Sequence, residues 1–107
     1  MSDTFTKIRQ LVTRGVVRIT EHGYEELAAD GIFARDIVRG VNDGVVVEDY
    51  PEYPKGPCVL VLQKDGHGAA IHVLWGTPKN HAEPAVVITA YRPDPSRWRE
   101  GFLRRRQ

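Results

Sequence analysis

The sequence predicts an α+β domain: N-terminal helices packed on one face of a four-stranded antiparallel meander sheet, closed by a C-terminal helix. Three observations carry that expectation. Apolar residues recur at helical spacing up to Gly44 and at strand spacing after it. No connection among the four strand-like segments has room for a crossover helix, so sequence neighbours should pair antiparallel. Asp94-Pro95-Ser96 reads as a helix start, with proline at the first helical position and Trp98, Phe102 and Leu103 spaced to face inward.

Asp3 or Thr4 can cap a first helix carrying Phe5, Ile8, Leu11 and Val12, which Gly15 stops. Val16 to Ile19 is a short extended piece. Thr20 caps a second helix with the apolar stripe Tyr24, Leu27 and Ala28, ended by Gly31. A third helix, Ala34–Val41, should bury Ile37, Val38 and Val41, with Asp36 in its first turn where the dipole favours an acid. Asn42-Asp43-Gly44 closes it. The strands are Val45–Tyr50, Cys58–Lys64, Ala69–Trp75 and Ala85–Tyr91. Asp65-Gly66 signals a hairpin between the second and third, while a Pro-rich loop, 51–57, and a polar loop, 76–84, make the other two connections.

A chain of 107 residues with 15 Lys+Arg, 14 Asp+Glu and 41% hydrophobic residues can build one core, so a single domain over 1–107 is expected. Cys58 is the lone cysteine, which excludes an internal disulfide and a cysteine-based zinc site; inside Cys58-Val59-Leu60-Val61-Leu62 it reads as a small buried hydrophobe. The apolar run Val59 to Leu62 is far too short to span a membrane, and Met1-Ser2-Asp3-Thr4 lacks the regions of a signal peptide, so a soluble cytoplasmic protein is expected. The net charge of +1 is unevenly placed: +3 over residues 1–20, −7 over 21–54 and +5 over 55–107. Both ends are basic, which suits an anionic partner met by the termini.

No phosphate-binding glycine motif, His-Glu-x-x-His pair, calcium loop or nucleophile elbow is present, so the dehydrogenase, P-loop and zincin classes are set aside and no cofactor is expected. Histidines, Tyr91 and arginines remain. His22 falls in the first turn of the second helix, where exposed N–H groups and the dipole favour a neutral imidazole fit to act as a base; the plainer reading is a histidine that bonds locally. Alternation puts Ile71, Val73 and Trp75 on one strand face and His72 with Ala70 and Leu74 on the other, open face. Tyr91 shares a face with Val87 and Thr89, and Arg92 follows at the strand edge. Such a His, Tyr and Arg could supply a proton shuttle, a donor and a phosphate clamp, against the plainer reading of a half-buried polar pair and a solvated arginine. His67 and His81 fall in a turn and a loop, and no pair has metal-ligand spacing, so no metal is expected. Arg97, Arg99, Arg104, Arg105 and Arg106 form a basic run suited to RNA backbone or an acidic partner, or simply to solvent.

Taken together, Ile19-Thr20-Glu21-His22-Gly23-Tyr24-Glu25, Gly31-Ile32, Tyr50-Pro51, Cys58-Val59-Leu60-Val61, Ile71-His72-Val73 and Ile88-Thr89-Ala90-Tyr91-Arg92-Pro93-Asp94-Pro95 with Trp98 resemble the bacterial and archaeal domain-of-unknown-function family numbered 4258, from residue 16 onward. That family looks like a relative of the RelE and MqsR ribonuclease toxins. The resemblance implies a RelE- or barnase-like fold and metal-free RNA cleavage, with the family's helix histidine on His22, its strand histidine on His72 and its Thr-x-Tyr strand on Thr89 and Tyr91. The chain departs from the family at Glu26 and Asp30, where arginines are frequent, and a carboxylate cannot hold a phosphate as a guanidinium does. Phe33 also replaces the usual small cap before the third helix, at a cost of about 1 kcal/mol.

Two functions follow as expectations. The first is a metal-independent endoribonuclease of toxin–antitoxin type, in which His22 or His72 takes the 2′-hydroxyl proton and Arg92, helped by Tyr91, stabilises the developing charge. Arg97, Arg104, Arg105 and Arg106 would hold RNA, including ribosome-associated messenger RNA, and an antitoxin protein would be a second partner. The alternative is a non-catalytic RNA- or protein-binding module on the same fold. Convergence of His22, His72, Tyr91 and Arg92 on one cleft separates the two.

Overall fold

Ser2 starts the first element: its hydroxyl accepts the Phe5 N–H at 3.0 Å and caps α1 (Asp3–Thr13), one residue earlier than expected. Phe5, Ile8, Leu11 and Val12 form the buried stripe of α1, and Gly15 takes a φ of +74° to turn the chain out of it. After β1 (Val17–Ile19), Thr20 caps α2 (Glu21–Asp30) through the Gly23 N–H at 2.9 Å, and left-handed Gly31 ends it. Helix α3 (Ala34–Gly40) runs into a 3₁₀ turn, Val41–Asp43. Phe33 caps α3 with no side-chain bond; its exposed ring instead lies under the Arg35 guanidinium, 4.7 Å from the centroid. The strands β2 (Val45–Tyr50), β3 (Cys58–Lys64), β4 (Ala70–Gly76) and β5 (Ala85–Tyr91) follow, and β6 (Trp98–Arg99) and β7 (Arg104–Arg105) end the chain. The computed structural model describes residues 2–107.

The main sheet has five strands in the order β1-β5-β4-β3-β2. This corrects the expectation of a four-stranded antiparallel sheet: β1 joins as a fifth strand, parallel to β5, with Val17 opposite Ala85 and Ile19 opposite Val87. The missed pairing joins segments on opposite sides of two helices and a meander, so no local turn announces it. The second correction concerns the C-terminus, which forms the β6–β7 hairpin and no helix. Trp98, Phe102 and Leu103 do have helical spacing, but Glu100, Gly101 and Phe102 all have φ between +54° and +71°, a run that no right-handed helix contains.

Helices cover one sheet face. Ile8, Leu11, Leu27, Ile37 and Val41 pack there against Val59, Val61, Ile71, Val73, Trp75 and Val87, each large side chain stabilising the fold by about 1.5–3 kcal/mol. Tyr24, Ala28 and Val38, expected inside, are exposed; α2 buries only Gly23 and Leu27, and its backbone packs so closely on β5 at Gly23 that a Cβ there would stand 3.0 Å from the Val87 carbonyl. Buried Gln63 bridges the layers, receiving the Trp75 indole N–H at 2.8 Å and donating to the Ile37 carbonyl at 2.9 Å. The other sheet face carries Cys58, Leu60, His72, Leu74 and Tyr91. The β6–β7 hairpin covers the part around His72.

Candidate functional site

His72 is opposite Tyr91 across β4 and β5, and both project from the face away from the helices. A register shift after Leu74 decides this: it leaves Thr89 and Tyr91 on the outer face while Val87 stays in the core, so Tyr91 and Val87 do not share the face that simple alternation assigned them. His72 has no exposed surface. Its Nε2 lies 2.9 Å from the Phe102 carbonyl, which can only accept, so Nε2 carries the proton and Nδ1 accepts from the Tyr91 hydroxyl at 3.1 Å. Trp98 meets the imidazole edge-on, with centroids 4.4 Å apart. Burial pushes the His72 pKa below its ordinary value, the Phe102 carbonyl and the Glu48 charge pull against this, and Arg105 adds to the lowering. Burial also raises the Tyr91 phenol.

The hairpin that covers His72 is pinned at its far end. Arg105 of β7 donates to both carboxylate oxygens of Glu48 on β2, at 2.6 and 2.9 Å, while its guanidinium lies 4.7 Å from the Trp98 ring centroid. The Tyr50 hydroxyl donates to Glu48 at 2.6 Å. The Arg105 bond holds the Glu48 carboxyl below its usual range, and the bond to Glu48 in turn raises the Tyr50 phenol. His72 therefore sits in a closed neighbourhood of Tyr91, Trp98, Phe102, Glu48 and Arg105. Sequence reasoning overlooked Glu48, because its partner is 57 residues away.

The other expected site residues stand elsewhere. Arg92 binds structure on three sides: its backbone N–H donates to the Asp30 carboxylate at 2.9 Å, its Nε to the Asp30 carbonyl at 3.1 Å, and its Nη1 pairs with Asp65 at 3.0 Å. Asp65 also accepts the His67 and Ala69 N–H groups, bonds that keep its carboxyl in the ionised form. Arg92 thus ties the end of α2 to the β3–β4 turn, held by Asp30 and Asp65. His22 is exposed at the start of α2, 3.5 Å from the Glu26 carboxylate. Of the terminal arginines, Arg104 pairs with Glu100, Arg105 with Glu48, and Arg106 donates to the Pro95 carbonyl at 2.9 Å; the Arg97 side chain is exposed. His72 and Tyr91 come together, and His22 and Arg92 do not join them.

Beyond the hairpin, the same sheet face is open. A groove of about 470 Å³ has Cys58, Leu74, Gly76, Val86 and Ile88 as its floor, with Tyr50, Tyr53, Lys55, Thr77, Pro78 and Arg18 around it. Gly76 keeps the floor low, since a Cβ there would press to 2.9 Å on Ile88 and on the Pro57 carbonyl. Gly56, at φ +128°, lets the loop that carries Tyr53 and Lys55 close against the Thr77 carbonyl, where any side chain would collide. Tyr50 and Tyr53 are 40% and 50% exposed, so their rings are available for stacking. Burial pushes the Cys58 thiol up, which makes it an unreactive part of the floor. The sequence signal for this groove is the interleaving of tyrosines and lysine in Tyr50-Pro51-Glu52-Tyr53-Pro54-Lys55, where a strand end meets the Pro-rich loop.

Among the described residues no group of three or more His, Cys, Asp or Glu is placed to hold a metal ion, and no helix is long and apolar enough to cross a membrane. Fold and site together define a small α+β domain with one helix-covered sheet face and one face divided between a closed histidine cluster and an open aromatic groove. Residues 19–92, more than two thirds of the chain, match the family described as a domain of unknown function, DUF4258, and the chain belongs to that family. No curated protein and no solved structure matches it.

Proposed function

We propose that the chain is a non-catalytic module that binds single-stranded RNA in the groove on the open sheet face. The observation that supports this most is the division of that face. Both ring nitrogens of His72 are bound within the protein and Arg92 is turned to Asp30 and Asp65, whereas the accessible groove offers two exposed tyrosines and two cations. Bases stack on exposed aromatic rings and phosphates meet Arg and Lys, a combination that tolerates many sequences. Arg18 and Lys55 would take phosphates, Tyr53 a base, and the Thr77 hydroxyl at the groove wall is a group able to meet a ribose 2′-hydroxyl.

Fluorescence anisotropy with a labelled single-stranded RNA tests this. Tyr53→Ala should weaken binding by about 1–3 kcal/mol, and Arg18→Ala and Lys55→Ala should each flatten the salt dependence by about 0.7. The RNA should stay intact on a denaturing gel. Absence of binding, or binding indifferent to Tyr53→Ala, would count against the groove.

One observation favours a second reading, the metal-independent toxin-type endoribonuclease: a neutral histidine bonded to a tyrosine hydroxyl is an acid–base pair. It requires the hairpin to leave the Phe102 contact so that RNA can reach Nε2. Cleaved RNA on the same gel, lost in His72→Gln, would establish it over the binding module.

A further inference from the structure

Among the described residues, β2 is the last strand of the main sheet and is hydrogen-bonded only to β3, so its outer edge presents a row of backbone donors and acceptors. Edge strands in soluble proteins are usually guarded by lysine, proline or a short length. This one reads Val45-Val46-Val47-Glu48-Asp49-Tyr50, has its only acids toward one end, and leaves Val45 50% exposed. Furrows run along both sides of it. On the helix side Phe5 and Arg9 of α1 flank Val46 and Asp49; on the other, Leu103, 37% exposed, and Arg99 flank Val45 and Val47.

We propose that this edge pairs with the same edge of a second copy of the chain, the two β2 strands running antiparallel about a two-fold axis to form one continuous sheet. Two features of the strand argue for a second copy. The first is self-complementary facing. Because Val47 bulges, Val46 and Asp49 both lie on the helix side, whereas Val45, Glu48 and Tyr50 lie on the other. A register with Val46 opposite the second copy's Asp49 then keeps every pair on its proper face and sets Val45 opposite the second copy's Tyr50, an aliphatic–aromatic cross-strand pair. The second is charge. Among the described residues Arg9 and Asp49 form no ion pair although they line the same furrow, and this register brings each beside its opposite on the other copy. Glu48 does not oppose the pairing, since Arg105 already neutralises it.

Sedimentation velocity on the full chain at roughly 100 μM, enough to populate a dimer of micromolar dissociation constant, tests the proposal. The wild type should sediment as a dimer and Val45→Lys, a change at a half-exposed position that preserves the circular dichroism spectrum, as a monomer. Arg9→Asp and Asp49→Arg should each weaken the dimer at least tenfold, and the double variant should restore it. A wild type that stays monomeric at this concentration would overturn the proposal, as would a dimer that survives Val45→Lys.

Discussion

Gln63 bridges two groups that each depend on it, accepting from the Trp75 indole N–H and donating to the Ile37 carbonyl, and all three residues lie inside the core. Replacing it with leucine keeps the volume and strands both partners. Gln63→Leu should destabilise the fold by about 1–3 kcal/mol for each orphaned group, read as a lower urea midpoint at unchanged slope. Arg92→Ala should lower the melting temperature more than Arg97→Ala, because only the first removes side-chain bonds that cross the fold, from Nε to the Asp30 carbonyl and from Nη1 to the Asp65 carboxylate. Legibility at this scale divides by sequence distance. The Thr20 cap, the Asp65 turn and the outward face of His72 depend on neighbours within a few residues, and local spacing is enough to find them. The destination of Arg92 depends on Asp30, 62 residues away, and a basic residue at a strand edge looks the same whether it is solvated, bound to phosphate or braced against an acid.

At the scale of elements, the C-terminal hairpin decides what His72 can do. Trp98 is 5% exposed and is the hairpin's main apolar contact with the imidazole, so Trp98→Ala should open the cover while the central strands keep their amide protection. Histidine titration followed by NMR should then show the His72 pKa rising toward the solvent value of about 6.5. An unchanged titration would mean that the hairpin is not what dries the site. This element also departs from the helix that its sequence predicts. Spacing of Trp98, Phe102 and Leu103 is compatible with a helix, and the left-handed run at Glu100–Phe102 that forbids one is imposed by the Phe102 carbonyl reaching Nε2 of His72 and by Arg105 reaching Glu48. The helices α1 to α3 and the strands β2 to β5 were readable because each carries its own cap, turn or periodicity. Three-residue β1 carries none, and its place beside β5 is a property of the closed sheet.

For the whole molecule, the buried histidine makes stability depend on pH with a definite sign. The His72 pKa is lowered on folding, so below about pH 6.5 the unfolded chain binds a proton that the folded chain resists, and stability falls as the pH drops toward the folded value. Above that window the contribution is fully present. Glu48, also lowered, adds a second loss only at more acid pH, below about 4.3. Melting temperatures between pH 7 and 5 should therefore decline in the wild type and flatten in His72→Gln. The central claim is that the molecule engages RNA through the open half of its sheet face, with the histidine half closed. Amide NMR spectra recorded while single-stranded RNA is added test it most directly. Shifts should concentrate at Arg18, Tyr53, Lys55, Gly76, Thr77 and Ile88, with the amides around His22 and Arg92 unmoved; shifts centred on His72, Phe102 and the hairpin, or none at saturating RNA, would rule the groove out as the RNA site.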